Sequence, residues 1–164
     1  MFEKFTERLR KVMSLARIEA QNMNSEFIGT EHLLIGILRE SGGVAAKILK
    51  NMNVDIDVES VRLEVRKLVQ SSRSLTLGQI PFSPLAKHVI ELSEKASLRL
   101  GHDVIGTEHL LIGLMEEKEG IAFEILNELG VKPAEVEKTI REVFGIPDES
   151  KPCSRCHGTG LEPA

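Results

Sequence analysis

Apolar and polar positions alternate along this chain with a helical period. Between residues 5 and 23 the apolar positions are Leu9, Val12, Met13, Ala16, Ala20 and Met23. Steps of three and four place them on one stripe of a helix. Thr6 is placed to cap that helix, with Glu7 in its first turn, where the helix dipole favours a carboxylate. Ile28-Gly29 turns the chain, and Thr30 is read as the cap of a second helix over 31–40. Leu33, Leu34, Ile37 and Leu38 form its buried face. Ser41-Gly42-Gly43 breaks the pattern. A short helix follows over 44–52. Asp55 and Asp57 offer caps for a fourth helix, in which Val58, Val61, Val65, Leu68 and Val69 keep helical spacing. Further helices are expected over 84–100, 108–117, 121–129 and 133–144. Ser83-Pro84 opens the first of these with a cap and a proline at the first helical position. No segment alternates apolar and polar residues for long enough to argue for a sheet.

The pattern is written twice. Ile28-Gly29-Thr30-Glu31-His32-Leu33-Leu34-Ile35-Gly36 returns unchanged as Ile105-Gly106-Thr107-Glu108-His109-Leu110-Leu111-Ile112-Gly113, 77 positions later. Phe5 maps onto Phe82, Val12 onto Val89, Leu15 onto Leu92, Leu49 onto Leu126 and Val54 onto Val131. The expected fold is therefore all-α: two four-helix repeats, eight helices, related by a pseudo-twofold axis. Repeat one covers 1–70, a polar linker 71–81 and repeat two 82–145. A linker and Cys-x-x-Cys tail occupy 146–164. Neither repeat buries its apolar stripes well alone, so the two are expected to pack on each other.

Composition narrows the chemistry. Aromatics make up 4% of the 164 residues, with no Trp and no Tyr, so the core must be aliphatic. A net charge of -4 argues against nucleic acid, because phosphate backbones need clustered Lys and Arg. No stretch approaches the roughly 20 apolar residues of a membrane span. The start is charged from its third residue and lacks the apolar run of a secretory signal. The expected compartment is the cytoplasm.

With its duplicated Ile-Gly-Thr-Glu-His-Leu-Leu-Ile-Gly motif, the opening Phe5-Thr6-Glu7-Arg8 and the Gly120-Ile121-Ala122 turn, the chain resembles the N-terminal repeat domain of Clp unfoldases, the ClpC type above all. The resemblance covers about residues 2–145. It implies an eight-helix docking platform that receives adaptor proteins and substrate proteins, and in ClpC-type members phosphoarginine, a degradation tag. Clp unfoldase or protease subunits are the implied partners. The chain has no Gly-x-x-x-x-Gly-Lys-Ser/Thr loop, so if these residues are the whole protein it is not expected to hydrolyse ATP by that route. It would then be a free-standing docking domain. An alternative is an accessory subunit that binds the protease or unfoldase, as small plastid proteins of this type do.

Glu31 and Glu108 sit in the first turn of their helices, where they complement the helix N-terminus. A sharper reading gives them a guanidinium partner, with the attached phosphate at a second helix start. The family's phosphoarginine-binding glutamates fall in this motif, so the resemblance assigns that role to Glu31 and Glu108. Thr6 and Ser83 are the candidates on the phosphate side. His32 and His109 belong to no His-Glu-x-x-His pair and face no evident nucleophile. They are read as hydrogen-bonded residues, and no catalytic residue is expected. Gly36 and Gly113, inside helices, are read as close helix contacts. In the tail, Cys153-x-x-Cys156-x-Gly158-x-Gly160 resembles one copy of the DnaJ-type zinc module. Zinc wants four ligands. Two thiols and His157 would need a second chain, giving zinc shared between proteins or a homodimer through the tail. A metal-free reduced tail, a redox pair and a c-type haem attachment compete with that reading. If the tail is the active part, the chain would be a zinc-dependent, chaperone-like binder.

Overall fold

A computed structural model describes residues 3–52, 56–68 and 80–146. Among them are eight helices: α1 Glu7–Asn22, α2 Thr30–Glu40, α3 Val44–Asn51, α4 Val58–Leu68, α5 Pro84–Arg99, α6 Thr107–Glu116, α7 Ile121–Glu128 and α8 Pro133–Phe144. The all-α fold expected from the periodicity is the fold observed. Thr6 caps α1, its hydroxyl accepting from the Leu9 N–H, and Ser83 caps α5 by accepting from Ala86. Asp57 Oδ1 accepts from the Ser60 N–H at 2.8 Å and opens α4.

Each repeat places its second helix at its centre. Along α2 every residue from Thr30 to Ile37 is buried, and along α6 every residue from Thr107 to Met115. A helix covered on all sides cannot be purely amphipathic, so Thr, Glu and His enter the interior with the leucines. Gly36 is where α1 crosses α2: a Cβ there would stand 2.7 Å from the Val12 carbonyl oxygen. Gly113 makes the same crossing of α5 over α6, 2.6 Å from the Val89 carbonyl. The glycines therefore act as the close helix contacts that the sequence suggested.

Two ionic clamps tie the outer helices on, with opposite signs. In repeat one the buried Glu19 of α1 holds Arg39 of α2 at 3.1 Å and also Arg62 of α4. Burial pushes the Glu19 carboxyl up, but Arg62 and Arg39 together hold it below the usual range. In repeat two the cation is central: Arg99 of α5 meets Glu116 of α6 at 2.9 Å and Glu137 of α8 at 3.2 Å. One continuous aliphatic core joins both repeats, from Leu9 and Leu33 through Ile48 to Leu111 and Ile140. Helices α2 and α7 pack across the repeats, as do α3 and α6. At the end of the segment read as the linker, Ile80 is buried, and the Pro81 carbonyl accepts from the Ile28 N–H at 2.8 Å.

Candidate functional site

The two motif copies do not serve their own repeats. The Thr6 N–H donates to the Ile105 carbonyl and the Ser83 N–H to the Ile28 carbonyl, each at 3.0 Å. The Ile105 N–H donates to Lys4 and the Ile28 N–H to Pro81, each at 2.8 Å. Short parallel bridges, Phe5 with Ile105 and Ile28 with Phe82, result. The start of α1 is thus fixed beside the motif of repeat two, and the start of α5 beside that of repeat one. Thr6 lies beside the motif that carries Glu108, and Ser83 beside the motif that carries Glu31.

The motif threonines take part in the same exchange. Helices α2 and α6 begin one residue earlier than their sequences suggested. Gly29 and Gly106 are the N-caps, and Thr30 and Thr107 occupy the first helical position. Their hydroxyls cap helices of the other repeat instead. Thr30 Oγ1 accepts from Ala122 N of α7, and Thr107 Oγ1 from Ala45 N of α3, both at 3.3 Å. Helices α3 and α7 start at Gly43 and Gly120, which have no capping side chain. Three helix starts therefore gather at each site: α1, α3 and α6 at one, α2, α5 and α7 at the other.

A first-turn glutamate is expected at the surface, but both carboxylates are buried. Glu31 and Glu108 are each 8% exposed. Their side chains fold back over Gly29 and Gly106, where any Cβ would strike the carboxylate oxygens. Among the described residues no lysine or arginine pairs with either glutamate. Each carboxylate accepts from its own backbone N–H, but burial dominates and pushes both pKa values up.

His32 and His109 are hydrogen-bonded at their helix starts, as expected. The Gly29 N–H donates to His32 Nδ1 and the Gly106 N–H to His109 Nδ1, both at 2.9 Å. Each ring takes up an orphan N–H at its helix start. Burial pushes both imidazoles down to about 4, so they are neutral at physiological pH. His102, Glu108 and His109 bring three potential ligand atoms within 4.8 Å of one another. Their protons argue against a metal there. His109 Nδ1 accepts from Gly106, so Nε2 carries the ring proton. That proton points to His102 Nδ1, 2.7 Å away. A metal on Nε2 would force a proton onto Nδ1, directly against the Gly106 N–H. Cys153, Cys156 and His157, the tail candidates for zinc, lie outside the described residues.

Comparison with known proteins decides the relationship. The model of the Clp repeat (R) N-terminal domain matches residues 4–129 and 94–155. The chain belongs to the Clp N-terminal repeat domain family. It is 40% identical to a chloroplastic ClpA homolog CD4B of Solanum lycopersicum, an ATP-binding subunit of ATP-dependent Clp protease, over 97% of this chain and 17% of that protein. It is 41% identical to chloroplastic ClpC of Pisum sativum over 88% of this chain and 16% of that protein. The chain thus spans about a sixth of the length of these relatives. Among solved structures, the N-terminal domain of ClpD from Arabidopsis thaliana superposes with a TM-score of 0.72 at 22% identity, covering 88% of this chain and 97% of that one. A ClpV N-domain in complex with a VipB peptide superposes at 0.68 with 15% identity, covering 89% and 90%. Within this Clp fold, none of the described helices is long and apolar enough to cross a membrane.

The cross-repeat role of Thr30 and Thr107 was hidden from a local reading, which sees a threonine before an acidic first turn as a cap for its own helix. One signal was present. Helices α3 and α7 open on glycine with no side chain of their own repeat as a cap, so each start was waiting for a hydroxyl from elsewhere.

Proposed function

We propose that this Clp N-domain is a non-catalytic docking module that reads phosphoarginine on substrate proteins and presents them for ATP-dependent Clp proteolysis. The observation that carries the reading is a nine-tenths-buried carboxylate, paired with no lysine or arginine among the described residues, in a motif fixed beside a capping hydroxyl of the other repeat. A buried carboxylate without a cation is costly, and a planar guanidinium relieves that cost through a bidentate pair. Thr6 and Ser83 already accept a backbone N–H through their side-chain oxygens. Each hydroxyl proton is therefore left to donate to a phosphate oxygen. The adjoining helix starts add favourable potential for the anion. Glu31 with Ser83, and Glu108 with Thr6, form two such pockets, which suits bivalent capture of a tagged chain. The similarity to Clp ATP-binding subunits supports the proteolytic setting, and the peptide seated on the ClpV N-domain supports peptide docking by this fold. Substrates, adaptors and Clp subunits are the corresponding partners.

Isothermal titration with phosphoarginine tests the proposal. We expect saturable binding by the unmutated protein, and its loss in the Glu31→Ala/Glu108→Ala double variant with the helical circular dichroism retained. No heat from the unmutated protein, or undiminished binding by the double variant, overturns it.

A further inference from the structure

The two pockets share their carboxylate, their hydroxyl and their gathered helix starts, but they differ at the mouth. Position 8, in the first turn of α1, is arginine, and its counterpart 77 residues later is Leu85. Arg8 Nη1 donates to Glu40 Oε1 at 2.7 Å, while the Arg8 side chain stays 60% exposed. Its guanidinium lies against Gly42, leaving no room there for a Cβ. The next residue, Gly43, packs on the Thr107 hydroxyl. Arg8 therefore sits between the starts of α1 and α3, on the side that holds Thr6 and Glu108. Lys11 adds a second cation, 3.3 Å from Glu40 Oε2.

At the other pocket the same framework carries different charge. Glu117 is the counterpart of Glu40 and is equally buried, but its partners are His88 and the Glu119 N–H. Leu85 stands where Arg8 stands, and Glu119 takes the place of Gly42. Among the described residues, Arg8 and Lys11 stand on Glu40, whereas His88 alone stands on Glu117.

We infer that Arg8, positioned by Glu40, makes the Thr6/Glu108 pocket the phosphate-selective one, and that the Ser83/Glu31 pocket is its weaker partner. This rests on the phosphoarginine reading above. The guanidinium has five N–H donors in a planar fork, and one bond to Glu40 leaves most of them for phosphate oxygens. Glu40 is buried, so its carboxylate cannot follow Arg8 away and instead fixes one edge of the guanidinium. A dianionic phosphate gains from this fork, whereas a plain arginine, held only through its guanidinium, gains nothing from it.

The test uses single-pocket proteins. Glu31→Gln leaves the Thr6/Glu108 pocket intact, and Glu108→Gln leaves the Ser83/Glu31 pocket. Each is titrated with phosphoarginine and, separately, with arginine. We expect Glu31→Gln to bind phosphoarginine about tenfold more tightly than Glu108→Gln, the size of one charge-assisted contact, with similar arginine affinities. Adding Arg8→Leu to Glu31→Gln should erase the phosphoarginine advantage and leave arginine binding unchanged. Adding Leu85→Arg to Glu108→Gln should raise its phosphoarginine affinity. Arg8→Lys, which keeps the charge against Glu40, guards against loss of fold and should retain part of the advantage. Equal phosphoarginine affinities in the two single-pocket proteins overturn the inference while leaving the docking proposal standing. So does an Arg8→Leu effect that falls on arginine and phosphoarginine alike. Failure of the unmutated protein to bind phosphoarginine removes both.

Discussion

Replacing Gly36 by alanine sets two effects of opposite sign against each other. In an open helix, alanine is better than glycine by about 1 kcal/mol. Here the added Cβ would lie 2.7 Å from the Val12 carbonyl oxygen and 3.1 Å from Val12 Cγ1. The first distance is about 0.6 Å short of even a close C–H···O contact. The obstacle is backbone in the middle of α1, so α1 and α2 must move apart along their whole crossing. Overpacking of this kind costs about 1–3 kcal/mol, and lost core contacts add to it. We expect steric cost to win, with a net destabilisation of about 1–2 kcal/mol. Urea unfolding should show a lower midpoint with an unchanged slope, and the melting temperature should fall by about 2–4 °C per kcal/mol. Gly113→Ala should behave alike, its Cβ 2.6 Å from the Val89 carbonyl and 2.7 Å from Ser93 Oγ. The serine hydroxyl can swing aside and the carbonyl cannot, so adding Ser93→Ala should not rescue Gly113→Ala. A Gly36→Ala protein more stable than the parent would refute the close-crossing argument.

Three further outcomes follow from the sites. Thr30→Val and Thr107→Val keep the volume but remove the cross-repeat caps. Each should cost about 1 kcal/mol and speed hydrogen exchange at the Ala122 or Ala45 amide respectively; unchanged exchange would contradict the cap. His32 and His109, held near 4 when folded against 6.5 as the ordinary value, should make stability fall as pH drops from about 6.5 towards 4. In that window the unfolded chain binds more protons, so each histidine contributes a slope of up to about 1.4 kcal/mol per pH unit. Glu31 and Glu108 oppose this slope, because their raised pKa values favour the folded state on the acid side. His32→Gln should flatten the histidine part in urea titrations run at several pH values. Finally, Glu31→Gln and Glu108→Gln should raise the melting temperature at neutral pH, since the amide removes a buried charge that lacks a cation. Lower melting temperatures would show that the carboxylates contribute to stability, not to a binding site held at a cost.

The helices were legible because periodicity depends on the chain alone. The stripe Leu9, Val12, Ala16, Ala20 and the caps Thr6 and Ser83 could be placed from spacing and local hydrogen-bond chemistry. The centre of each repeat was harder. A first-turn glutamate is normally wet, and only the complete burial of α2 and α6 by their neighbours reverses that for Glu31 and Glu108. The pairing of Thr6 with Glu108, and of Ser83 with Glu31, is a matter of which repeat crosses to which. An offset of 77 positions states that two halves are alike and is silent on how they meet. Nothing local to position 8 announces the buried Glu40 beneath Arg8, which lies 32 residues along the chain.

The exchange of helix starts has a historical consequence. When residue i of one half meets residue j of the other, and j meets i in return, the contact has the symmetry of a twofold dimer. A single repeat that paired with its own copy would make these contacts in identical form. Joining two copies into one chain released them from that identity. Position 8 carries an arginine and position 85 a leucine, a difference that no symmetric pair of identical chains can hold.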